Sequence, residues 1–320
     1  MPFATEQKKF GFKKEASRGT AEAAPSKFLA VGADSELTYS TALIPDDKIR
    51  GFKERFPSVP GVKEGTGSLA AVDVEASTVG DLLLGGLGSV VTAQPDAANS
   101  PTVFRHTFAR LNSLLMPSFT FFVDRGISIK RYPLTIIKKL TFAGAVDGKA
   151  QVAADLLFKT EEPGSAFTPA LGSPKPLMFF QTDFKVDGVT DLNVKSWSLS
   201  IDNGSVAQRT LNQSRDAKDI VSPGRFVIDG GLEIYFETDT QRQKFLAADA
   251  AALDLLLTGD IIEDAFKNQL EFKVPEIRYS AYPYGSIEDL LGAKVVFQAQ
   301  YNAAAGYSLQ AVLTNAVSGY

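Results

Sequence analysis

The side chains able to do chemistry are few. The chain has no cysteine, which removes disulfides, thiolate zinc sites, iron–sulfur clusters and cysteine nucleophiles together. It has one histidine, His106, so multi-histidine metal sites are excluded and any Ser-His-Asp scheme would rest on that residue. His106 lies in the strand-like stretch Phe104-Arg105-His106-Thr107-Phe108 with no nucleophile motif beside it, and reads as a hydrogen-bonded strand residue. Asp46-Asp47, Glu161-Glu162, Glu263-Asp264 and Glu288-Asp289 fall in polar segments without the alternating oxygen ligands and turn glycine of a calcium loop. Gly65-Thr66-Gly67-Ser68-Leu69-Ala70 has the spacing of a dinucleotide turn, but a charged stretch precedes it and a strand follows, the reverse of what pyrophosphate binding needs. Gly144 to Ala150 imitates a phosphate loop but is one residue short and lacks the magnesium-holding Ser or Thr. Both are read as turns. Asn203-Gly-Ser and Asn212-Gln-Ser match a glycosylation pattern without secretory context, and Trp197 reads as a core side chain. No catalytic residue, cofactor or metal is expected, and the chain is not read as an enzyme.

The elements that would position any site are mostly strands. Apolar and polar residues alternate in Leu69–Glu75, Trp197–Ile201, Leu232–Glu237 and Leu270–Val274, the mark of strands with one buried face. Asp147-Gly148, Asp187-Gly188, Asp202-Asn203-Gly204 and Asp229-Gly230 supply turn residues. The fold class is mainly antiparallel β. Pro and Gly crowd residues 163–176, where missing N–H groups block helix and central strand alike, and a boundary is placed there. The expected organisation is an arm over residues 1–27, a β domain over 28–162, a linker over 163–176 and a second β domain over 177–320.

The two sides of that boundary share an order of strand, cap and short helix. Val72-Asp-Val74-Glu75 followed by Thr78 and Asp81 answers Ile234-Tyr-Phe236-Glu237 followed by Thr240 and Gln243, at an offset of 162. Each Thr stands where an N-cap with a returning side chain would be. Phe121 answers Phe272 at 151, and Val152 answers Val295 at 143. Falling offsets point to an internal duplication whose second copy has shorter connections. Upstream of each alternating strand lies a long charged stretch. The first, residues 42–65, holds Asp46, Asp47, Lys48, Arg50, Lys53, Glu54, Arg55 and Phe56; the second, near 208–226, holds Arg209, Arg215, Asp216, Lys218 and Asp219. Loops of that length in a compact domain are functional or ordered by another surface, and these are expected to dock on a neighbouring subunit.

The net charge of −4 argues against a phosphate-binding wall. Residues 1–160 carry 20 bases and 16 acids, and the first 27 residues, with Lys8, Lys9, Lys13 and Lys14, carry six bases and three acids. The front of the chain is basic and the back acidic. Neither a cleaved export signal nor a membrane span is expected.

The stretch Lys9-Phe10-Gly11-Phe12-Lys13-Lys14-Glu15-Ala16-Ser17-Arg18-Gly19-Thr20, continuing to Pro25 and the apolar Phe28-Leu29, resembles the opening of tail tube proteins of long-tailed bacteriophages. The Gly67-led strand, the short helix after it and Leu270-Glu-Phe272-Lys-Val274-Pro275 agree with that family in order. The resemblance implies β-sandwich or half-barrel domains, each with a flanking short helix, whose sheets join those of neighbours in rings that stack through arms and loops. Most such chains carry one tube domain and form hexamers. Two domains here would make a trimeric, pseudo-hexameric ring. It also implies a structural virion protein with itself, a tape-measure protein and tail-end proteins as partners, DNA passing without specific binding, and assembly in the host bacterial cytoplasm. The alternatives are a two-domain carbohydrate or adhesion module, a carboxylate-based hydrolase, and a secretion-system tube protein.

Overall fold

The computed structural model describes residue 4 and residues 7–320. In chain order the first half contains β1 (Lys9–Lys14), β2 (Lys27–Leu29), β3 (Glu36–Asp46), β4 (Phe56–Asp73), α1 (Val79–Leu87), β5 (Gly88–Ala93), β6 (Phe104–Arg110), β7 (Phe119–Asp124), β8 (Ile129–Ala145), β9 (Gln151–Phe158) and β10 (Glu162–Pro163). The second contains β11 (Thr182–Val186), β12 (Val189–Thr190), β13 (Val194–Asp202), β14 (Val206–Gln208), β15 (Asp219–Val221), β16 (Val227–Tyr235), α2 (Thr240–Ala247), β17 (Ala251–Glu263), β18 (Phe266–Ala281), β19 (Tyr284–Ile287), β20 (Leu290–Ala299) and β21 (Gln310–Asn315). Residues 164–176 carry neither helix nor strand. The fold is mainly β and antiparallel.

One sheet runs β3–β4–β9–β8–β13–β16–β20, with β18 and β19 on the far side of β20. A second layer is split between β2–β1–β7–β8 and β11–β17–β18–β21–β6–β5. The long strands β8 and β18 serve both layers: their N-terminal parts pair with β7 and β17, their C-terminal parts with β9 and β20. Between the layers the core is aliphatic and aromatic, with Leu140, Phe142, Val152, Leu199, Ile201, Leu232, Val295, Phe297 and Trp197 on the inner face of the long sheet. At about 25 cal/mol per Å² of apolar surface removed from water, that burial is the main force holding the layers together.

The two halves share most of their strands: β1, β3, β4, β7, β8 and β9 answer β11, β13, β16, β17, β18 and β20, while β5 and β6 have no counterpart between α2 and β17. β8 bulges between Ile137 and Lys139 opposite β9, and β18 bulges between Tyr279 and Ala281 opposite β20. A second bulge puts four residues of β8, from Tyr132 to Thr135, across from the three Phe119–Phe121, and another puts Val274–Ile277 across from Ala251–Leu253. Both pairs of bulges, which bend a strand and re-aim its side chains, sit at one offset of 142. The Val72↔Val152 and Ile234↔Ala293 pairs carry the offset of 162 seen in the sequence into the ladder, but set Val152 against Ala293 rather than Val295. The slip is two residues, which keeps the same face inward. The counterpart of Phe121 is Leu253 on β17, not Phe272 on β18, because β7 and β17 are the strands held next to β8 and β18. Alternation alone does not tell one apolar strand from its neighbour.

Other expectations change as well. Lys9–Lys14 is no free arm: β1 is hydrogen-bonded to β2 and β7 with Phe10 and Phe12 buried; residues 1–3, 5 and 6 of that expected arm lie outside the described residues. The charged stretch at 42–65 is not an irregular loop but the outer part of the β3–β4 hairpin. Thr78 is the N-cap of α1 but makes no side-chain cap bond, and α2 is capped by Asp239 with Thr240 already helical, so neither expected capping box forms. The expected turn at Gly65 is strand interior: a Cβ there would lie 2.4 Å from Phe158, so glycine admits the ring against the backbone. Gly230 does the same for Phe297.

Candidate functional site

Among the described residues no cluster of His, Asp or Glu could hold a metal ion, and no helix is long and apolar enough to cross a membrane. His106 is buried on β6, its ring bonded to Thr92, Asn315 and the carbonyl of Val317. Burial pushes its pKa down, against the bonds to Val317 and Asn315. It ties the first half to the chain's last strand. Trp197 is core, as its alternation suggests.

What the fold leaves unfinished is its long sheet. Among the described residues β3 pairs with β4 alone, so its other edge is open. At the opposite end, residues 278–281 of β18 and all of β19 pair with β20 alone. An open edge is a row of unpaired N–H and C=O groups that another chain can take up. Within the chain the corresponding edge is not open: β8, the counterpart of β18 and β19, pairs along its outer side with β13, the counterpart of β3, through Lys139↔Asp202, Thr141↔Ser200, Ala143↔Ser198 and Ala145↔Ser196. The junction between the halves is therefore an antiparallel pairing of the counterparts of those two edges.

The outer face of that sheet is small and polar. Across the ladder run the rows Ala153–Thr141–Ser200–Asp229–Gln298–Arg278, Gln151–Ala143–Ser198–Gly231–Val296 and Ala145–Ser196–Glu233–Lys294. Two of its bases are ion-paired and a third stands beside acids in the ladder. Lys139 lies in register between Asp155 and Asp202, Arg278 is paired with Glu276 at 3.7 Å, and Lys294 with Glu233 at 2.9 Å. Hydrogen bonds from Lys294 and Ser196 hold the Glu233 carboxyl below its usual range, more than burial raises it.

The third surface is the β3–β4 hairpin. Leu43, Ile44, Ile49, Phe52 and Val59 are all more than half exposed, and Ile49 is 99% exposed. Asp46, Arg50 and Phe56 support one another through an ion pair and a guanidinium stacked 4.7 Å above the ring. Asp47, Lys48, Lys53, Glu54 and Arg55 are exposed around the tip.

The expected contact residues thus separate into two groups. Those of the hairpin face solvent. Of the N-terminal lysines, Lys8 pairs with Glu36, Lys9 with Asp124 and Lys13 with Glu22, inside the chain, while Lys14 ends β1. The second charged stretch folds back on the first half: Arg209 donates to the Lys63 carbonyl, Lys63 N–H to the Arg215 carbonyl, Tyr39 hydroxyl to Asp216, and Arg18 to Asp219 and to the carbonyls of Met116 and Ile220. Lys218 is exposed. Pattern reading found the charges but missed the sheet edges, which only pairing partners define.

An antiparallel double-layered β protein with an open edge at each end of its long sheet presents unpaired backbone groups at both. The sequence agrees with that architecture: the chain belongs to the phage tail tube protein family, which matches residues 5–299. It is a structural component of the phage tail. No curated protein matches the chain.

Proposed function

We propose that the chain carries two tandem tube-type domains, and that three copies, six halves, close into a pseudo-hexameric ring by pairing β3 of one copy with β18 and β19 of the next. The observation that carries this is the β8–β13 junction, which already makes the same pairing between halves. Carrying its Lys139↔Asp202 pair over by the offsets of 142 and 162 sets Ala281 opposite Ser40 of the neighbour. Closure leaves no edge for indiscriminate pairing. The outer face of the long sheet, apart from its rim at Arg278, Val296 and Gln298, then lines the bore. Small hydroxyl and acidic side chains, with Lys139 and Lys294 set beside acids, offer DNA few free cations to neutralise its phosphates, so it slides without being held. Rings stack into the tube through which DNA is ejected, with the basic front of the chain facing the acidic back of the next ring. A tape-measure protein in the bore and tail-end proteins at its ends are the remaining partners, and assembly takes place in the host cytoplasm.

The test uses the absence of native cysteine. Ser40→Cys with Ala281→Cys should give disulfide-linked species that end at three chains under mild oxidation, with tubes or three-fold rings in electron micrographs and stacking that slows as salt rises. A dispersed chain with no cross-link at high concentration contradicts the reading.

A further inference from the structure

The second charged stretch shows where the exposed hairpin belongs. Residues 40–64 lie between the Tyr39↔Gly65 pair of β3 and β4, and residues 202–227 between the Ile201↔Ile228 pair of β13 and β16. The two differ by one residue in length. Both carry an outer ladder at the same place: Ile44↔Val59 in the first and Val206↔Val221 in the second, related by the offset of 162. Yet they end differently. β14 and β15 break from β13 and β16 and lie against the first half, where Ile220 is buried with Met116 and Ile136 beside Leu157, and where Ser222 N–H bonds to the Leu114 carbonyl. The hairpin projects with its apolar residues in water.

The difference follows from connectivity. β13 has the first half of its own chain beside it, paired to β8. β3 has an open edge, so the half on which its hairpin would lie belongs to another molecule. We propose that the outer hairpin, residues 43–59, folds over the rim of the second half of the laterally neighbouring copy in the same ring, taking on that copy the place that residues 205–221 take on the first half.

The receiving surface is given by the same offsets. Ile136 corresponds to Arg278 and Leu157 to Gln298, since both pairs sit one register before the pairs Ile137↔Leu156 and Tyr279↔Phe297 that open the matched bulges. Three residues beyond Leu157 is Thr160; its counterpart Tyr301 is 68% exposed, at the end of β20. Leu246 and Val296 are also exposed. The cradle is more polar than the one that takes Ile220, and its occupant is more polar too, because Ser58 stands where Ile220 does and Glu54 and Arg55 lie close to it in sequence. Apolar side chains of the hairpin meet Tyr301 and Val296, and its charges meet Arg278 and Gln298. This rests on the ring reading above, because it needs β3 seated against a neighbour's β18 and β19.

The test is a second cysteine pair, Ser58→Cys with Gln298→Cys, in the full chain assembled under the conditions that yield rings or tubes. Lateral docking gives disulfide-linked species that stop at three chains. Docking of the hairpin on the next ring gives either no bond between these positions or a ladder running past three, and either result overturns the proposal while micrographs and the Ser40→Cys, Ala281→Cys bond leave the ring reading standing. Loss of that reference bond together with the rings overturns both. Because Ser58 and Gln298 are exposed, neither substitution reaches the core. A further variant, Tyr301→Ser, should lower the yield of the Ser58–Gln298 bond at least several-fold with the β3 edge bond unchanged; an equal yield counts against the rim as the receiving surface.

Discussion

In the first half, every residue of α1 is buried; in the second, α2 has none. The two helices follow matched strands, so the contrast lies in what covers them. Over α1 the cover comes from the other half: Tyr320 packs so close to Gly80 that a Cβ there would lie 2.1 Å from its ring, Asn315 donates to the carbonyl of Ala76, and β21 extends the sheet of β6. Over α2 nothing comparable is supplied. The same holds for the rims, one filled by residues 205–221 and the other open, and for the sheet edges, one paired and the other free. On the ring reading proposed above, a duplicated unit completes its first copy internally and leaves its second to another molecule, and the first half then pictures the second half after assembly.

The sharpest way to break that comparison is to remove the projecting hairpin. Replacing residues 43–60 by a two-residue Asn-Gly turn between Ala42 and Gly61 should abolish tubes seen by electron microscopy. Unfolding of the dispersed chain in urea should change by no more than about 1 kcal/mol, since exposed residues away from special features contribute little to stability. If tubes persist, the hairpin is not an assembly element; if the chain unfolds, it is part of a core. Equivalent excision of residues 205–221 should instead destabilise the dispersed chain by several kcal/mol, because it uncovers Ile136 and Met116 and strands Arg18.

A finer comparison sets Arg18 against Arg278. The guanidinium of Arg18 donates to the carbonyl of Met116, and that of Arg278 to the carbonyl of Ala248, which is the residue matched to Met116 at the offset of β7 and β17. Arg18 also holds Ile220 and Asp219 of the docked segment. Arg18→Ala should lower the stability of the dispersed chain by about 2–3 kcal/mol, the range for losing charged hydrogen bonds to partly buried acceptors. Arg278→Ala, whose side chain is 43% exposed, should change it by about 0.5 kcal/mol or less and act instead on assembly. Equal effects in urea titrations would mean that the two rims are not counterparts.

The helices offer a third test. Gly80→Ala in α1 should lose about 1–3 kcal/mol, because the new methyl must displace the Tyr320 ring in a packed site, and this exceeds the gain of up to about 1 kcal/mol from better helix propensity. Gln243→Ala in α2, where only a bond to Asp239 is lost at the surface, should stay within about 0.5 kcal/mol. Thermal unfolding of the two variants measures the contrast, and a neutral Gly80→Ala would show that Tyr320 does not seal the helix.

Much of this was legible in the residues themselves. Alternation in Trp197–Ile201 and Leu270–Val274 encodes one buried face directly, and it placed β13 and β18. The offset of 162 survived into the ladders because Val72 and Ile234 are the last inward residues of β4 and β16. What was not legible is pairing. Lys9–Lys14 is charged at both ends and passes for an arm, although Phe10 and Phe12 reach the core; Gly65 and Gly230 pass for turns, although each receives a ring. The open edges of β3 and of β18 with β19 leave no trace in composition, since an edge strand and a central strand can carry the same side chains and differ only in the neighbour that is present.

The smallest effect concerns a carboxylate that belongs to the sealed helix. Asp81 lies in the first turn of α1 with its side chain 8% exposed, and Lys27 at 3.3 Å is its ion-pair partner. Burial pushes its pKa up, and the pull of Lys27, with a weaker one from Lys14, only partly opposes this. A carboxyl with a raised folded-state pKa binds its proton more tightly in the folded chain than in the unfolded one. Its contribution is therefore most favourable below the unfolded value of about 3.9 and declines as pH rises through the raised folded value. Asp81→Asn removes that titration and leaves Lys27, which is 37% exposed, free to reach water. Relative to the parent chain, the variant should gain in stability as pH climbs from about 4 toward neutrality and then level off, by about 1 kcal/mol at most. At Glu36 the sign is reversed. Burial there is outweighed by hydrogen bonds from Arg125 and Lys8, so its pKa is lowered, and Glu36→Gln should forfeit stability that the parent has at neutral pH and loses on acidification. Opposite slopes for the two variants in melting temperature against pH are expected; parallel slopes would show that Lys27 compensates Asp81 as fully as Arg125 and Lys8 compensate Glu36.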